Sequence, residues 1–232
     1  MNGKPTVDGT STNGMISGCV IRVEDQTGPK AKAAGQLHVI VTIAGETLRN
    51  GTPLTFFEQV RLKGKVAQNA LTLQPRECVL FDQAHLEQLT WEDPQTGDPR
   101  AMLVIRASAF TRIKKNSTRL NGNNLIMEHA TNTFTLNVRL AKPPVSRQTK
   151  AGQVTEATIV ANLWQSADPD DDTKRPHYFK VEAWRDLGLP FEDARVGCRL
   201  ICEVLIKTDT REICGEKRYF TDLEARTLSV FA

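Results

Sequence analysis

The chain carries the same unit twice, and a duplicated unit limits the size of what each copy can fold into. Phe56-Phe57-Glu58-Gln59-Val60-Arg61-Leu62-Lys63-Gly64-Lys65 in the first half and Tyr178-Phe179-Lys180-Val181-Glu182-Ala183-Trp184-Arg185 in the second each read as an aromatic strand running into a helix-like segment. The copies lie roughly 120 residues apart, about one small β domain. The 232 residues then divide into two domains, each long enough to bury its own core. Hydrophobic residues at 40% make the chain too apolar to be disordered.

Each half follows one order: three strands, a short helix, two longer strands. In the first, Met15 to Val23 reads as a strand, Leu37, Val39, Val41 and Ile43 alternate over a second, and Gly51-Thr52-Pro53 turns into the third. Lys65 to Leu73 reads as the helix, with Pro75 as its stop, before strands at Glu77–Trp91 and Arg100–Arg112. In the second, Thr133–Leu140, Val154–Trp164 and Tyr178–Trp184 precede a short helix within Arg185–Arg195, and strands at Arg199–Thr210 and Glu216–Phe231 close the unit. That order predicts an all-β chain of two tandem five-stranded Greek-key barrels of the OB type, with a short helix between strands three and four of each. The expected boundaries are a flexible N-terminus over 1–14, domain one over 15–113, a basic linker over 114–132 and domain two over 133–232.

Alternation on the third strands assigns the candidate site. In the first copy Phe56, Val60 and Leu62 share the core face and Phe57, Gln59, Arg61 and Lys63 the other; Glu58 breaks the core pattern. In the second, the smaller set Phe179, Val181 and Ala183 suits the barrel interior, which leaves Tyr178, Lys180, Glu182 and Trp184 outside. Large rings outside a barrel need a partner. Bases stacked on such rings gain about 1 to 3 kcal/mol each with little regard to sequence, and lysine or arginine between the rings meets phosphate. The candidate DNA-binding residues are Phe57, Arg61, Lys63, Trp91 and Arg112 in the first half and Trp164, Tyr178, Lys180 and Trp184 in the second. Rings that fill a subunit interface are the competing reading.

The formal net charge of +3 permits a polyanionic partner, but its distribution says more. From Arg112 to Lys150 the basic residues are Arg112, Lys114, Lys115, Arg119, Arg139, Lys142, Arg147 and Lys150, against the single acid Glu128. No run is long and apolar enough to span a membrane and the polar start is unlike a signal, so a cytoplasmic protein is expected. Cys19, Cys78, Cys198, Cys202 and Cys214 show no CxxC spacing. Cys198 and Cys202 sit about 13 Å apart at strand rise, beyond disulfide reach, and reduced structural thiols are expected. Gly64-Lys65-Val66 lacks the rest of a phosphate loop, and His38, His85, His129 and His177 are scattered. The acidic loop Asp168–Asp172 lacks the glycine and terminal glutamate of a calcium loop. The expectation is a binding protein, with no catalytic residue, metal or cofactor.

Phe57 through Ala67, Arg76-Glu77-Cys78-Val79-Leu80 and Leu86 through Asp93 with Trp91 resemble the bacterial single-stranded DNA-binding protein (SSB) family. Gly152 to Trp164, Tyr178 to Trp184, Val196-Gly197 and Lys217-Arg218-Tyr219 resemble it in the second half. The resemblance covers about residues 15–113 and 133–231 and implies stacking roles for Phe57 and Trp91 in the first unit and Trp164, Tyr178 and Trp184 in the second. Lys63 stands where the family usually has an aromatic, Leu48 near the counterpart of Trp164, and Thr210 or Arg211 where the second unit should match Trp91. The family also usually ends in a flexible tail with an acidic, Phe-terminated tip. The sequence here stops at Val230-Phe231-Ala232, which implies a trimmed chain or a specialised relative.

These expectations make the chain a binder of single-stranded DNA with little sequence preference, protecting it during replication, recombination or repair. The family implies four barrels per particle, hence a homodimer, with replication or repair proteins as further partners. The alternative is an OB-fold interaction or scaffold protein of replication restart or repair whose aromatic face meets a protein. A nucleic-acid enzyme's accessory domain is the second rival.

Overall fold

In a computed structural model the chain is described over residues 9–94, 96–164, 174–213 and 216–231. The first half lays down β1 (Ser11–Asp25), α1 (Pro29–Ala33), β2 (His38–Arg49), β3 (Thr52–Lys63), α2 (Gly64–Ala70), β4 (Cys78–Glu92) and β5 (Pro99–Ala107). β1 pairs antiparallel with both β2 and β4, and β2 with β3. β5 runs antiparallel to β4 and parallel to β3, through Val60↔Ile105 and Arg61↔Arg106. The circuit β1-β2-β3-β5-β4 therefore returns to β1 and leaves no open edge. Alternation drives the closure: Ile43, Val41, Val60, Leu62, Val79, Phe81 and Leu86 are wholly or almost wholly buried.

Two glycines are required by this path. Gly64 takes φ +61 where β3 turns into α2, a conformation L side chains resist. A Cβ on Gly45 would lie 2.6 Å from both the Phe56 ring and Ala130, so β2 passes those groups only without a side chain.

The segment expected as a basic linker is folded. After β6 (Thr111–Ile113), which pairs with β4, come β7 (Thr118–Asn121) and β8 (Asn124–Met127), a hairpin around Gly122-Asn123. β8 runs beside β2 at Gly45↔Met127, Ile126 and Met127 are buried, and Arg119 pairs with Glu46.

The second half repeats the barrel with β9 (Asn132–Leu140), β10 (Val145–Thr149), β11 (Gly152–Trp164), β12 (Lys174–Trp184), β13 (Arg199–Ile213) and β14 (Glu216–Phe231). β9 neighbours β11 and β13, β11 pairs with β12, β12 runs parallel to β14, and β14 neighbours β13. This is the same circuit, so the chain is all-β with two five-stranded OB barrels. The helix after β12, Arg185–Phe191, is 3₁₀ because Gly188 and Pro190 interrupt it. β10, hydrogen-bonded to β11, follows Pro143-Pro144 and adds a strand that the sequence order did not include.

The chain forms two compact units. One comprises Asn13–Phe134 with Ile206–Thr221; the other comprises Thr135–Leu205 with the stretches that end at Thr12 and begin at Asp222. The acidic loop Asp168–Asp172 lies outside the described residues.

Candidate nucleic-acid interface

β3 presents the alternation expected of it. Phe56, Glu58, Val60 and Leu62 are buried, while Phe57 and Gln59 are exposed and Arg61 and Lys63 half-buried. β2 supplies the neighbours His38, Ile40 and Thr42 opposite Lys63, Arg61 and Gln59. On the other side, β5 and β4 extend the same outer face through the pairs His85↔Arg106, Glu87↔Val104, Leu89↔Met102 and Trp91↔Arg100. Phe57, Arg61, Lys63 and Trp91 thus share one face across β3, β5 and β4. Phe57 is 42% exposed and Trp91 44%. A groove of about 390 Å³ runs along it, lined by Phe57, Arg61, Met102, Thr208 and Thr221 among others.

Sequence reading missed Arg106. It lies beside Arg61 in the β3–β5 register, and its Nε is 2.6 Å from Glu87 Oε2. His85 Nε2 lies 2.9 Å from the other oxygen of that carboxylate. Burial pushes the Glu87 carboxyl up, but the His85 hydrogen bond and the Arg106 charge more than offset it and hold the group below the usual range. The cations are crowded. Burial and then Arg106 lower the Arg61 and Lys63 pKa values, with Glu87 opposing at Lys63, and burial, Lys63 and Arg106 lower that of His38. Positive charges held this closely favour an added anion over water. The signal for Arg106 was its alternate position on β5, which becomes informative only once β5 is known to lie against β3.

Glu58, the flaw in the core face, is 7% exposed and accepts a 2.7 Å hydrogen bond from Thr208 Oγ1. Burial raises its pKa to about 7, partly opposed by that hydrogen bond. Thr208 Oγ1 is in turn 3.1 Å from Thr221 Oγ1.

Arg112 is placed elsewhere. On β6 it donates from Nη2 to Thr72 Oγ1 at 2.7 Å and lies 3.5 Å from Glu77, in a cleft of about 550 Å³ with Lys65 and Phe110. Its register partner is Val79 of β4, at the opposite end of that strand from Trp91. Arg112 therefore does not join the β3 face.

In the second barrel β12 buries Phe179, Val181 and Ala183 and turns Tyr178, Lys180, Glu182 and Trp184 outward. Tyr178 is 47% exposed, but Trp184 is half-buried. The outward partners on β11 are Val160, Thr158, Glu156 and Val154. Glu156 and Glu182 face each other across the strands, and each has a cation: Lys180 Nζ lies 3.0 Å from Glu156, and Arg147 Nη2, from β10, 3.1 Å from Glu182. Lys180 is thus paired within the protein. Trp164 ends β11 opposite Lys174; its side chain lies outside the described residues. The first barrel's face is crowded with cations, whereas the second's is balanced beside its tyrosine.

No family model matches the chain. A single-stranded DNA-binding protein of Thermus thermophilus is 28% identical over 207 residues, 84% of this chain and 75% of that protein. Among solved structures, the wild-type single-stranded DNA-binding protein of Thermus aquaticus superposes with TM-score 0.69 at 21% identity, covering 96% of this chain and 93% of that one. A deletion variant of the Thermus aquaticus protein gives TM-score 0.68 at 20% identity, with 95% and 93% covered. The likeness to these single-stranded DNA-binding proteins extends over most of the chain in sequence and over both barrels in fold.

Proposed function

We propose that this protein binds single-stranded DNA with little sequence preference and protects it during replication, recombination or repair. The observation that carries the reading is the outer face of β3, β5 and β4, where exposed Phe57 and Trp91 stand on the same surface as Arg61, Lys63 and Arg106. The rings offer bases a stacking partner that ignores base identity, and a phosphodiester supplies the negative charge the crowded cations favour. Relatives that span most of the chain are named for the same ligand. Tyr178, Trp164 and Trp184 give the second barrel a stacking role, with Lys180 secondary because Glu156 neutralises it. The protein acts by binding, without a catalytic centre or cofactor, as a homodimer that brings four barrels together, and it meets replication or repair proteins on the DNA. No helix among the described residues is long and apolar enough to cross a membrane, and we place the protein in the cytoplasm.

Titration with oligo-dT tests this reading. Tryptophan fluorescence is quenched, and log affinity falls with log salt at a slope of about −0.7 for each phosphate contacted. Unquenched fluorescence with no gel shift at low salt refutes it.

The charge balance on the second barrel favours one further reading: a face with Lys180 and Arg147 already paired is suited to a protein partner. Tyr178→Ala and Trp184→Ala decide between them. Loss of oligonucleotide affinity marks a DNA platform, and loss of dimerisation a protein interface.

A further inference from the structure

Cys19 and Cys78 share no sequence motif, yet the first barrel brings their sulfurs within 3.2 Å. They are direct register partners on the antiparallel strands β1 and β4. The adjacent hydrogen bond runs from Val20 N to Glu77 O, one residue outside the pair on each strand, so Cys19 and Cys78 form a non-hydrogen-bonded pair. In such a pair the α-carbons lie about 4.5 Å apart with the side chains close, inside the separation a disulfide accepts. Cys78 falls on the face of β4 opposite to core residues Val79 and Phe81, and Cys19, its register partner on β1, shares that face. Closing a bond there does not repack the barrel interior.

The two thiols are unequal. Cys19 has no solvent exposure, and burial, reinforced by the hydrogen bond with Cys78, pushes its thiol up to about 12. Cys78 is half-buried, at the end of β4 where the chain emerges from Glu77. Cys78 is therefore the sulfur an external reagent meets first, and Cys19 the one that resolves.

We propose that Cys19 and Cys78 are a thiol–disulfide pair that closes a cross-strand bond between β1 and β4 when the protein meets a small-molecule disulfide. The Cys78 thiolate attacks one sulfur of the reagent, whose S–S bond breaks and releases one thiolate. The Cys19 sulfur then attacks Cys78 Sγ, gives up its proton, and expels the second half of the reagent as a thiol. Two protein thiols are oxidised by two electrons, and one disulfide is reduced to two thiols. The bond staples the seam at which the barrel closes on itself, a pairing 59 residues apart in sequence. It holds the first barrel shut without touching the outer face of β3.

The test is incubation of the native full-length chain with oxidised glutathione, followed by alkylation and mass spectrometry without reductant. The expected product is lighter by two hydrogens, carries no glutathione, and yields on proteolysis a cross-linked peptide pair containing Cys19 and Cys78. Dithiothreitol reverses it, and the oxidised form melts on the order of 5 °C higher. Cys78→Ser abolishes the product, while Cys19→Ala stops at a stable glutathione adduct on Cys78. A wild-type chain that keeps glutathione on Cys78, links either residue to Cys198, Cys202 or Cys214, or stays fully reduced while its denatured form oxidises overturns the proposal. The wild-type peptide map decides the matter even if a variant fails to fold.

Discussion

Replacing Glu58 by Gln should remove a pH dependence of stability written into the first barrel. The carboxyl is buried on the core face of β3, and its pKa is raised from 4.5 to about 7. An acid with a raised folded-state pKa stabilises the fold fully below its unfolded value, and that contribution is lost as pH rises through the folded one. A difference of 7 − 4.5, at 1.36 kcal/mol per unit, amounts to about 3 kcal/mol lost between roughly pH 4.5 and pH 7. Glutamine matches the neutral acid in shape and keeps an oxygen for the Thr208 hydroxyl, so Glu58→Gln has little effect near pH 4.5 and grows stabilising to about 3 kcal/mol by pH 8. Urea denaturation of both proteins at half-unit steps from pH 4.5 to 8 gives the difference directly, because groups other than residue 58 cancel. Parallel profiles, or a variant that gains stability toward low pH, refute the argument.

Arg61→Ala lowers the salt slope of oligo-dT binding by about 0.7, one phosphate contact, whereas Arg112→Ala, held against Thr72 and Glu77, leaves the slope unchanged; titrations across a salt series separate the two. Tyr178→Ala weakens oligonucleotide binding by about 1 to 3 kcal/mol while the salt slope stays constant, as isothermal titration at two ionic strengths checks.

The third strands were legible because a period of two acts locally: in both barrels the outward set follows from counting alternate residues. Glu58 showed as a flaw in that count, but its meaning depends on Thr208, 150 residues away. Arg106 and the Cys19–Cys78 pair were hidden for the same reason, since each needs the register of strands distant in sequence. The hairpin of β7 and β8 carries a readable signal, Asn121-Gly122-Asn123 between two short runs, which the surrounding basic residues overshadowed. β10, just beyond Pro143-Pro144, is fully polar except for Val145 and gives no alternation to count.

The unit built on Asn13–Phe134 includes Ile206–Thr221, and this sets an order of events during synthesis. All five strands of the first barrel have emerged once Ala107 is made, but the hydroxyl that meets Glu58 arrives with Thr208. Until then a carboxyl on the core face lacks its donor. Near neutral pH the unfolded carboxyl is ionised and burial raises its pKa to about 7, so folding draws in a proton, while the late-arriving Thr208 hydroxyl pulls the value back down. A pH indicator during refolding then reads the burial of Glu58 as proton uptake, and the later Thr208 contact as a partial release.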